Sequence, residues 1–228
     1  MLSTTEKTDS EIKNDVLSEL KYEPSVKVTD IGVLVKDGSV TLNGFATSYG
    51  EKWDAVKVAK RVAGVRAIAD DIEVKFPESM RRNDGDIAIA AANNIEWLSW
   101  AVPGKTVQVT VREGWITLEG QVEWWYQKEA AENTVRYLSG VKGVSNQIAI
   151  NPKLSATKVE AAIEAALKRS ALLDADQIEV ETSGNKVTLT GKVRSYHEYD
   201  EAERIAWAAP GVNLVDNDLT VQWSSFDE

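Results

Sequence analysis

Side chains that could do chemistry are scarce in this sequence. The sole histidine, His197, lies in the segment SYHEYDE beside Glu198. A catalytic histidine needs a nucleophile to activate and an acid that orients its ring, and an adjacent glutamate indicates neither. The chain has no cysteine that could act as a nucleophile or as a thiolate ligand. The sequence therefore predicts a non-enzymatic protein, with His197 exposed to solvent in the first turn of a helix.

Acidic pairs are the next candidates, because carboxylate oxygens bind divalent cations. Asp70 with Asp71, and Asp216 with Asp218, are two such pairs. Neither pair has the dense, glycine-bent spacing of a calcium loop, so both are predicted to lie in solvated turns and no metal or other cofactor is expected. The string GVKG at 140–143 matches the Gly-x-x-Gly loop of KH domains, but here it joins a helix to a strand.

The charge balance argues against a nucleic-acid partner. The 228 residues carry a net charge of −10, so the chain lacks the basic surface that binds phosphate backbones. The amino-terminal segment has neither the basic nor the apolar region of a secretory signal. No apolar run approaches the roughly 18 residues that span a bilayer. We expect a cytoplasmic protein, or a periplasmic one if a leader has been removed.

A threefold repeat positions all of these residues. Three segments are equivalent, namely GSVTLNG (38–44), GWITLEG (114–120) and GNKVTLTG (184–191). Their closing glycines are Gly44, Gly120 and Gly191. A second glycine follows 20 residues later in each copy, namely Gly64, Gly140 and Gly211. We predict a structural role for all six glycines, the second set as left-handed caps at the ends of helices.

Each repeat has the pattern of a helix, a hairpin, a second helix and a third strand. Apolar residues alternate before the glycine turn, as Val33 and Val35 do, which indicates a strand with one buried face. The next segment has the apolar spacing of a helix in its residues Ala55, Val58, Ala59 and Val62. The predicted fold class is α+β. It comprises three tandem α-β-β-α-β units, each a three-stranded mixed sheet in the order 1-2-3 with two helices on one face.

The repeated hairpin and the 20-residue step between glycines resemble the BON domain. A third feature of the resemblance is the polar residue after each second glycine, at Asp70, Asn146 and Asn217. Three copies would occupy residues 8–76, 83–152 and 154–223. The resemblance implies a non-catalytic module that binds phospholipid surfaces or envelope partners, in the manner of osmotically induced bacterial proteins.

Charge separates two hypotheses about the partner. The thirds of the chain at 1–76, 77–152 and 153–228 carry net charges of −2, −2 and −6. Anionic headgroups attract basic residues, and no third of this chain is basic. Binding to a protein partner or to a second copy is therefore the first hypothesis. Peripheral association with phospholipid is the alternative.

Tryptophan in the second repeat is the predicted means of contact. Trp115 aligns with Ser39 and Lys186, so its position does not require burial. Trp124 likewise aligns with serine in both other repeats, Ser48 and Ser195. Exposed tryptophan marks contact surfaces. The residues predicted to bind a partner are Trp97, Trp100, Trp115 and Trp124.

Trp125 is predicted to differ from these four. It aligns with Tyr49 and Tyr196, so every repeat carries an aromatic ring at this position. A ring that recurs in each copy indicates a structural role. We expect Trp125 to be buried where the second strand meets the second helix.

Overall fold

The computed structural model describes residues 7–98, 106–152, 159–170 and 173–222. Each repeat forms its own sheet and its own buried core within these ranges. The first unit consists of α1 (Asp9–Tyr22), β1 (Ile31–Lys36), β2 (Ser39–Ala46), α2 (Tyr49–Lys60) and β3 (Ala67–Val74). The second consists of α3 (Asp84–Trp97), β4 (Val107–Arg112), β5 (Trp115–Val122), α4 (Trp125–Arg136), β6 (Gly143–Asn146) and β7 (Ala149–Ile150). The third consists of α5 (Val159–Arg169), β8 (Ile178–Ser183), β9 (Lys186–Val193), α6 (Tyr196–Trp207) and β10 (Leu214–Val221).

The sheets confirm the predicted α+β class and the strand order 1-2-3. In each unit the hairpin is antiparallel, and the strand after the second helix joins it in parallel. Both helices pack on one face, where Val16 and Leu20 of α1 meet Val40 and Leu42 of β2 in the first core. The second unit differs in its third strand, which is divided into β6 and β7, both paired with β5.

The aspartate that begins the first helix fixes that helix to the hairpin. The Asp9 carboxylate accepts hydrogen bonds from the backbone N–H groups of Asp37 and Gly38, both at 2.9 Å. In the second unit Asp84 accepts the same two bonds from the turn at Glu113 and Gly114. These backbone donors lower the pKa of Asp9. The start of the first helix and the hairpin turn are therefore adjacent in both units.

The polar residue six positions after the second glycine of each unit, such as Asp70 after Gly64, lies in a strand. Asp70 and Asp71 belong to β3, and Asp216 to β10, so the predicted solvated turns are wrong. The third strand begins at Ala67, earlier than its apolar residues Ile72 and Val74 indicate, because backbone pairing with β2 extends through Asp70 and Asp71 while their side chains stay exposed. The amide of Asn146 donates to the backbone carbonyl of Lys128 in α4 at 2.9 Å. Asp70 and its counterparts therefore connect the third strand to the second helix.

The three closing glycines lie so close to another backbone segment that no side chain fits there. Gly44, Gly120 and Gly191 have φ values of 114°, 134° and 123°. A Cβ atom on any of them would overlap the carbonyl oxygen of the residue just before the first strand of the hairpin, which is Asp30, Thr106 or Gln177. Gly64 and Gly140, at φ values of 95° and 87°, follow the ends of α2 and α4. Gly211 has the same left-handed backbone, with φ of 87°.

Candidate functional site

The second helix of each unit has a further stripe of residues, separate from the stripe that packs on its own sheet. The stripe repeats at intervals of four, three and four residues. Its members are Tyr49, Trp53, Val56 and Lys60 in α2; Trp125, Glu129, Glu132 and Arg136 in α4; and Tyr196, Asp200, Glu203 and Trp207 in α6. This spacing places the members of each set on one side of the helix. The stripe carries most of the contacts between units that are described below.

The first and second units contact each other through the start of α2 and the end of α4. Tyr49 packs on the core of the second unit. The Tyr137 hydroxyl donates a hydrogen bond of 3.1 Å to Asp54, and the Tyr137 ring lies against Gly50, where a Cβ atom would overlap it. The Tyr137 side chain is 57% exposed, so its ring covers the Gly50 backbone at the rim of the contact while its hydroxyl keeps a polar partner. The contact is specific to these two units because the counterparts of Tyr137 are Arg61 and Ala208.

Arg136 is the most buried charged side chain of this contact, with 4% of its surface exposed. Its guanidinium lies over the Trp53 ring at 3.6 Å and donates to Glu132 at 2.7 Å and to Asn133 at 2.6 Å. The Nε atom has no hydrogen-bond partner within the described residues. A buried guanidinium requires both the carboxylate and the aromatic face. Arg136 therefore joins the α4 ion pair of one unit to the α2 ring of another.

The third unit closes the arrangement by contacting both of the others. Tyr196 packs against the core of the first unit, and Asp200 forms an ion pair of 3.0 Å with Lys60. Between the second and third units lies a groove of about 200 Å³. We call it the aromatic groove, and it is lined by Trp124, Trp125, Tyr126, Glu129, Arg204, Trp207 and Ala208. Each unit therefore contacts the other two.

A larger cavity lies where the three second helices converge. Its volume is about 430 Å³, and its lining includes Trp53 and Lys57 of α2, Trp125 and Glu129 of α4, and Arg204 of α6. We call it the central cavity. Desolvation by burial raises the pKa of Glu129, against the opposing effects of nearby Arg136 and Arg204. No single unit could form this cavity.

Two sequence-based expectations are corrected here. Trp125 is half-buried and faces the aromatic groove and the central cavity, not the core of its own unit. The reason is that the first residue of α4 falls on the stripe between units. His197 is also half-buried and lines the central cavity, because it follows Tyr196 at the same contact. The aromatic ring that begins the second helix of each unit, at Tyr49, Trp125 and Tyr196, therefore lies at contacts between units.

The tryptophans predicted to bind a partner do not form one surface. Trp97 ends α3 and is 83% exposed, and Trp115 begins β5 and is 54% exposed. Since the start of α3 contacts the turn before β5, the 14-residue length of α3 puts Trp97 about 20 Å from that turn. Trp124 is half-buried in the aromatic groove. Trp100 lies outside the described residues.

Trp124 occupies a position that the other units use to cap a helix. Ser48 and Ser195 each accept a hydrogen bond from the backbone of the second helix, at 3.1 Å and 3.2 Å. Trp124 has no side-chain oxygen that could replace them. Gln127 accepts from the backbone N–H groups of Glu123 and Trp124, both at 2.9 Å. Glu51 and Glu198 accept an equivalent bond in the other units, so Gln127 does not replace the serine cap. The second unit therefore lacks a stabilising serine cap and presents a tryptophan to the groove.

Sequence reasoning missed Trp53, Glu129 and Trp207, which line the groove or the cavity, and Arg136, which joins the first two units. Their common signal is the second helical stripe. Within the ranges given above, no group of three or more histidine or acidic side chains could hold a metal ion. Nor does any helix in the described part of the chain have the length and apolar character to cross a membrane.

Several known proteins are similar to this chain. The Osmotically-inducible protein Y of Escherichia coli (strain K12) is 34% identical over 143 residues, which cover 61% of this chain and 71% of that protein. Two solved structures of CdsD, a structural protein of the Type III secretion system of Chlamydia trachomatis, are each 14% identical. They cover 93% and 92% of this chain, and this chain covers 92% and 96% of theirs, with TM-scores of 0.27 and 0.24. Such TM-scores carry no inference about function.

The family comparison covers nearly the whole chain. The model of the BON domain matches residues 8–75, 83–152 and 155–222. These ranges contain the three hairpins with their closing glycines, the three second helices and the three parallel third strands. The match extends to all three units, and the chain belongs to the BON domain family.

Proposed function

We propose that this chain is a non-enzymatic protein that binds an extended segment of a partner protein in the aromatic groove. The supporting observation is Trp124. At this position the other two units keep a serine cap, which is worth about 1 kcal/mol to a helix, and the second unit has a groove-lining ring instead. A residue that departs from local structural preference without a structural gain is the mark of a functional position.

The composition of the groove suits a peptide. Tyr126 remains half-exposed beside Trp124 and Trp125, while Trp207 approaches from the third unit. Aromatic rings of this kind supply large contact area at low cost in side-chain entropy, and they are the commonest anchors at protein interfaces. Trp207 is held in place by a hydrogen bond of 3.2 Å from its indole N–H to Glu203. The groove is thus preorganised on at least one side.

A relation to osmotic stress forms the physiological part of the proposal. It rests on similarity to the Osmotically-inducible protein Y. We expect the abundance of this protein in its own cells to rise after an increase in external salt. Unchanged abundance across the shift would remove the osmotic part and leave the binding proposal in place.

Trp124→Ser should separate stability from binding. Serine restores the cap, so we expect the free energy of unfolding to stay within about 1 kcal/mol of the wild-type value. Loss of the ring should weaken binding of groove-directed peptides at least tenfold, as for an interface anchor. Unfolding in urea gives the first quantity. Titration with peptides selected from a displayed library on the wild-type protein gives the second.

Trp115→Ser is the matched control, because Trp115 is a tryptophan of the same unit that lies outside the groove. Its peptide affinities should equal those of the wild type. Selected peptides that bind Trp124→Ser as tightly as the wild type would refute the groove. Binding of anionic phospholipid vesicles that Trp124→Ser abolishes, with no peptide selected, would favour the membrane hypothesis. Dimerisation that the same variant abolishes would identify a second copy as the occupant.

A further inference from the structure

The central cavity has the size and composition of a site for a small molecule. Ligand sites of about 300 to 1,000 Å³ are typical, and this cavity holds about 430 Å³. Its walls come from all three units, with the Trp53 and Trp125 rings contributing apolar surface. It adjoins the aromatic groove, with which it shares Trp125, Glu129 and Arg204. A ligand there would contact three units at once.

Most charged groups of this cavity already have partners. The Arg204 guanidinium donates to Glu201 at 2.7 and 2.8 Å. Lys60 is paired with Asp200 at 3.0 Å. These two pairs leave little net charge of their own, because each joins one cation to one carboxylate.

Three charged groups of the lining stand outside those pairs. The Glu203 carboxylate accepts a hydrogen bond from Trp207. The Lys57 ammonium lies 5.0 Å from the centre of the Trp53 ring, where a cation is stabilised. Among the residues that the structure describes, the Glu129 carboxylate has no hydrogen bond or ion pair, and Arg136, Arg204 and Lys57 act on it only from a distance.

The surroundings of Glu129 select one class of ligand. Ca²⁺ and Mg²⁺ require several oxygen ligands, whereas one carboxylate beside indole rings offers a single charge and apolar walls. Desolvation raises the pKa of Glu129 despite the opposing effects of Arg136, Arg204 and Lys57. A cation in direct contact with the carboxylate would offset the remaining desolvation penalty. Trp125 lies one helical turn before Glu129 on the same side of α4, so an apolar stem attached to the cation can contact its ring.

We propose that the central cavity binds a monovalent organic cation, a primary ammonium on a short apolar stem, with its charge at Glu129 and its stem against Trp53 and Trp125. This site is separate from the peptide groove in its ligand and in its test. In the other two units the equivalent positions are Trp53 and Asp200, which have partners in Arg136 and Lys60.

The test uses n-butylammonium chloride as the probe and the indole N–H resonances of the ¹⁵N-labelled full chain as the readout. We expect saturable shifts of the Trp53 and Trp125 resonances, with the Trp97 and Trp115 resonances unmoved. 1-Butanol and sodium pentanoate, which have the same butyl stem without the positive charge, should bind at least tenfold more weakly. Equal shifts with 1-butanol, or no shift with n-butylammonium, would overturn the proposal.

Glu129→Gln isolates the charge. The variant should bind n-butylammonium at least tenfold more weakly, while its response to 1-butanol stays as in the wild type. Its melting temperature should equal or exceed that of the wild type, because a desolvated carboxylate is replaced by a neutral amide. Glu119→Gln, at an exposed position of β5, is the control and should bind as the wild type does. Undiminished binding by Glu129→Gln would overturn the assignment, whether or not peptides bind the groove.

Discussion

Replacing Arg136 by methionine is expected to lower the free energy of unfolding by about 3 kcal/mol or more. Removing one member of a buried ion pair typically costs about 3 to 5 kcal/mol, since the remaining charge loses its partner. Here Glu132 would lose the guanidinium that donates to it at 2.7 Å. Trp53 would also lose the cation that covers its ring at 3.6 Å. Urea unfolding followed by tryptophan fluorescence measures the change.

Lys60→Met is the matched control for this prediction. Lys60 occupies the same repeat position as Arg136 and also pairs with a carboxylate, Asp200. Its side chain is 33% exposed and that of Asp200 is 46% exposed. An exposed pair of this kind contributes at most about 1 kcal/mol. If both variants lost similar stability, burial of Arg136 between units would not be the cause.

A double variant extends the test. Arg136→Met combined with Glu132→Gln removes both charges, so no buried charge is left without a partner. Replacing both members of a buried pair is often close to neutral. We therefore expect the double variant to be more stable than Arg136→Met alone. A double variant as unstable as the single one would mean that the stacking of Arg136 on Trp53 carries the whole effect.

The fold could be predicted from the sequence because each unit encodes its own sheet and core. Both sequence patterns arise from packing within one unit. They are the alternation of Val33 and Val35 in the first strand and the helical spacing of Ala55 and Val58 in the second helix. Repetition in three copies separates this signal from chance. The glycine step adds the turn and the helix end, since Gly44 and Gly64 have backbone conformations that other residues adopt at a cost.

The contacts between units could not be predicted in the same way. The stripe that makes them changes in chemistry from one unit to the next, with Trp53 replaced by Glu129 and Asp200. Such a mixture of aromatic and charged residues is also typical of a solvated helix face. For the same reason, the recurrence of a ring at the position of Trp125 indicates a structural role but does not indicate which unit the ring contacts. Because the residues at the contact differ in chemistry from unit to unit, they share no sequence pattern that would reveal the contact.

Gly120→Ala is the second substitution for which we expect a large loss of stability, about 3 kcal/mol or more. Gly120 has φ of 134°, which is strained for alanine, and a Cβ atom would overlap the carbonyl oxygen of Thr106. That oxygen cannot retreat freely, because it accepts a hydrogen bond of 3.3 Å from the backbone N–H of Gln121. Relief of the overlap must therefore disturb the pairing of β4 with β5. Thermal and urea unfolding measure the loss.

Gly184→Ala distinguishes overlap from backbone strain alone. Gly184 also has a positive φ, 62°, but no atom lies within 4 Å of the position that its Cβ would take. Alanine in the left-handed region costs about 1 to 2 kcal/mol by itself, so this variant should lose no more than that. Gly44→Ala and Gly191→Ala should resemble Gly120→Ala, because each meets the equivalent carbonyl oxygen. A Gly120→Ala variant no less stable than Gly184→Ala would show that the backbone before β4 moves aside without loss, and that the closing glycine is not needed for the hairpin.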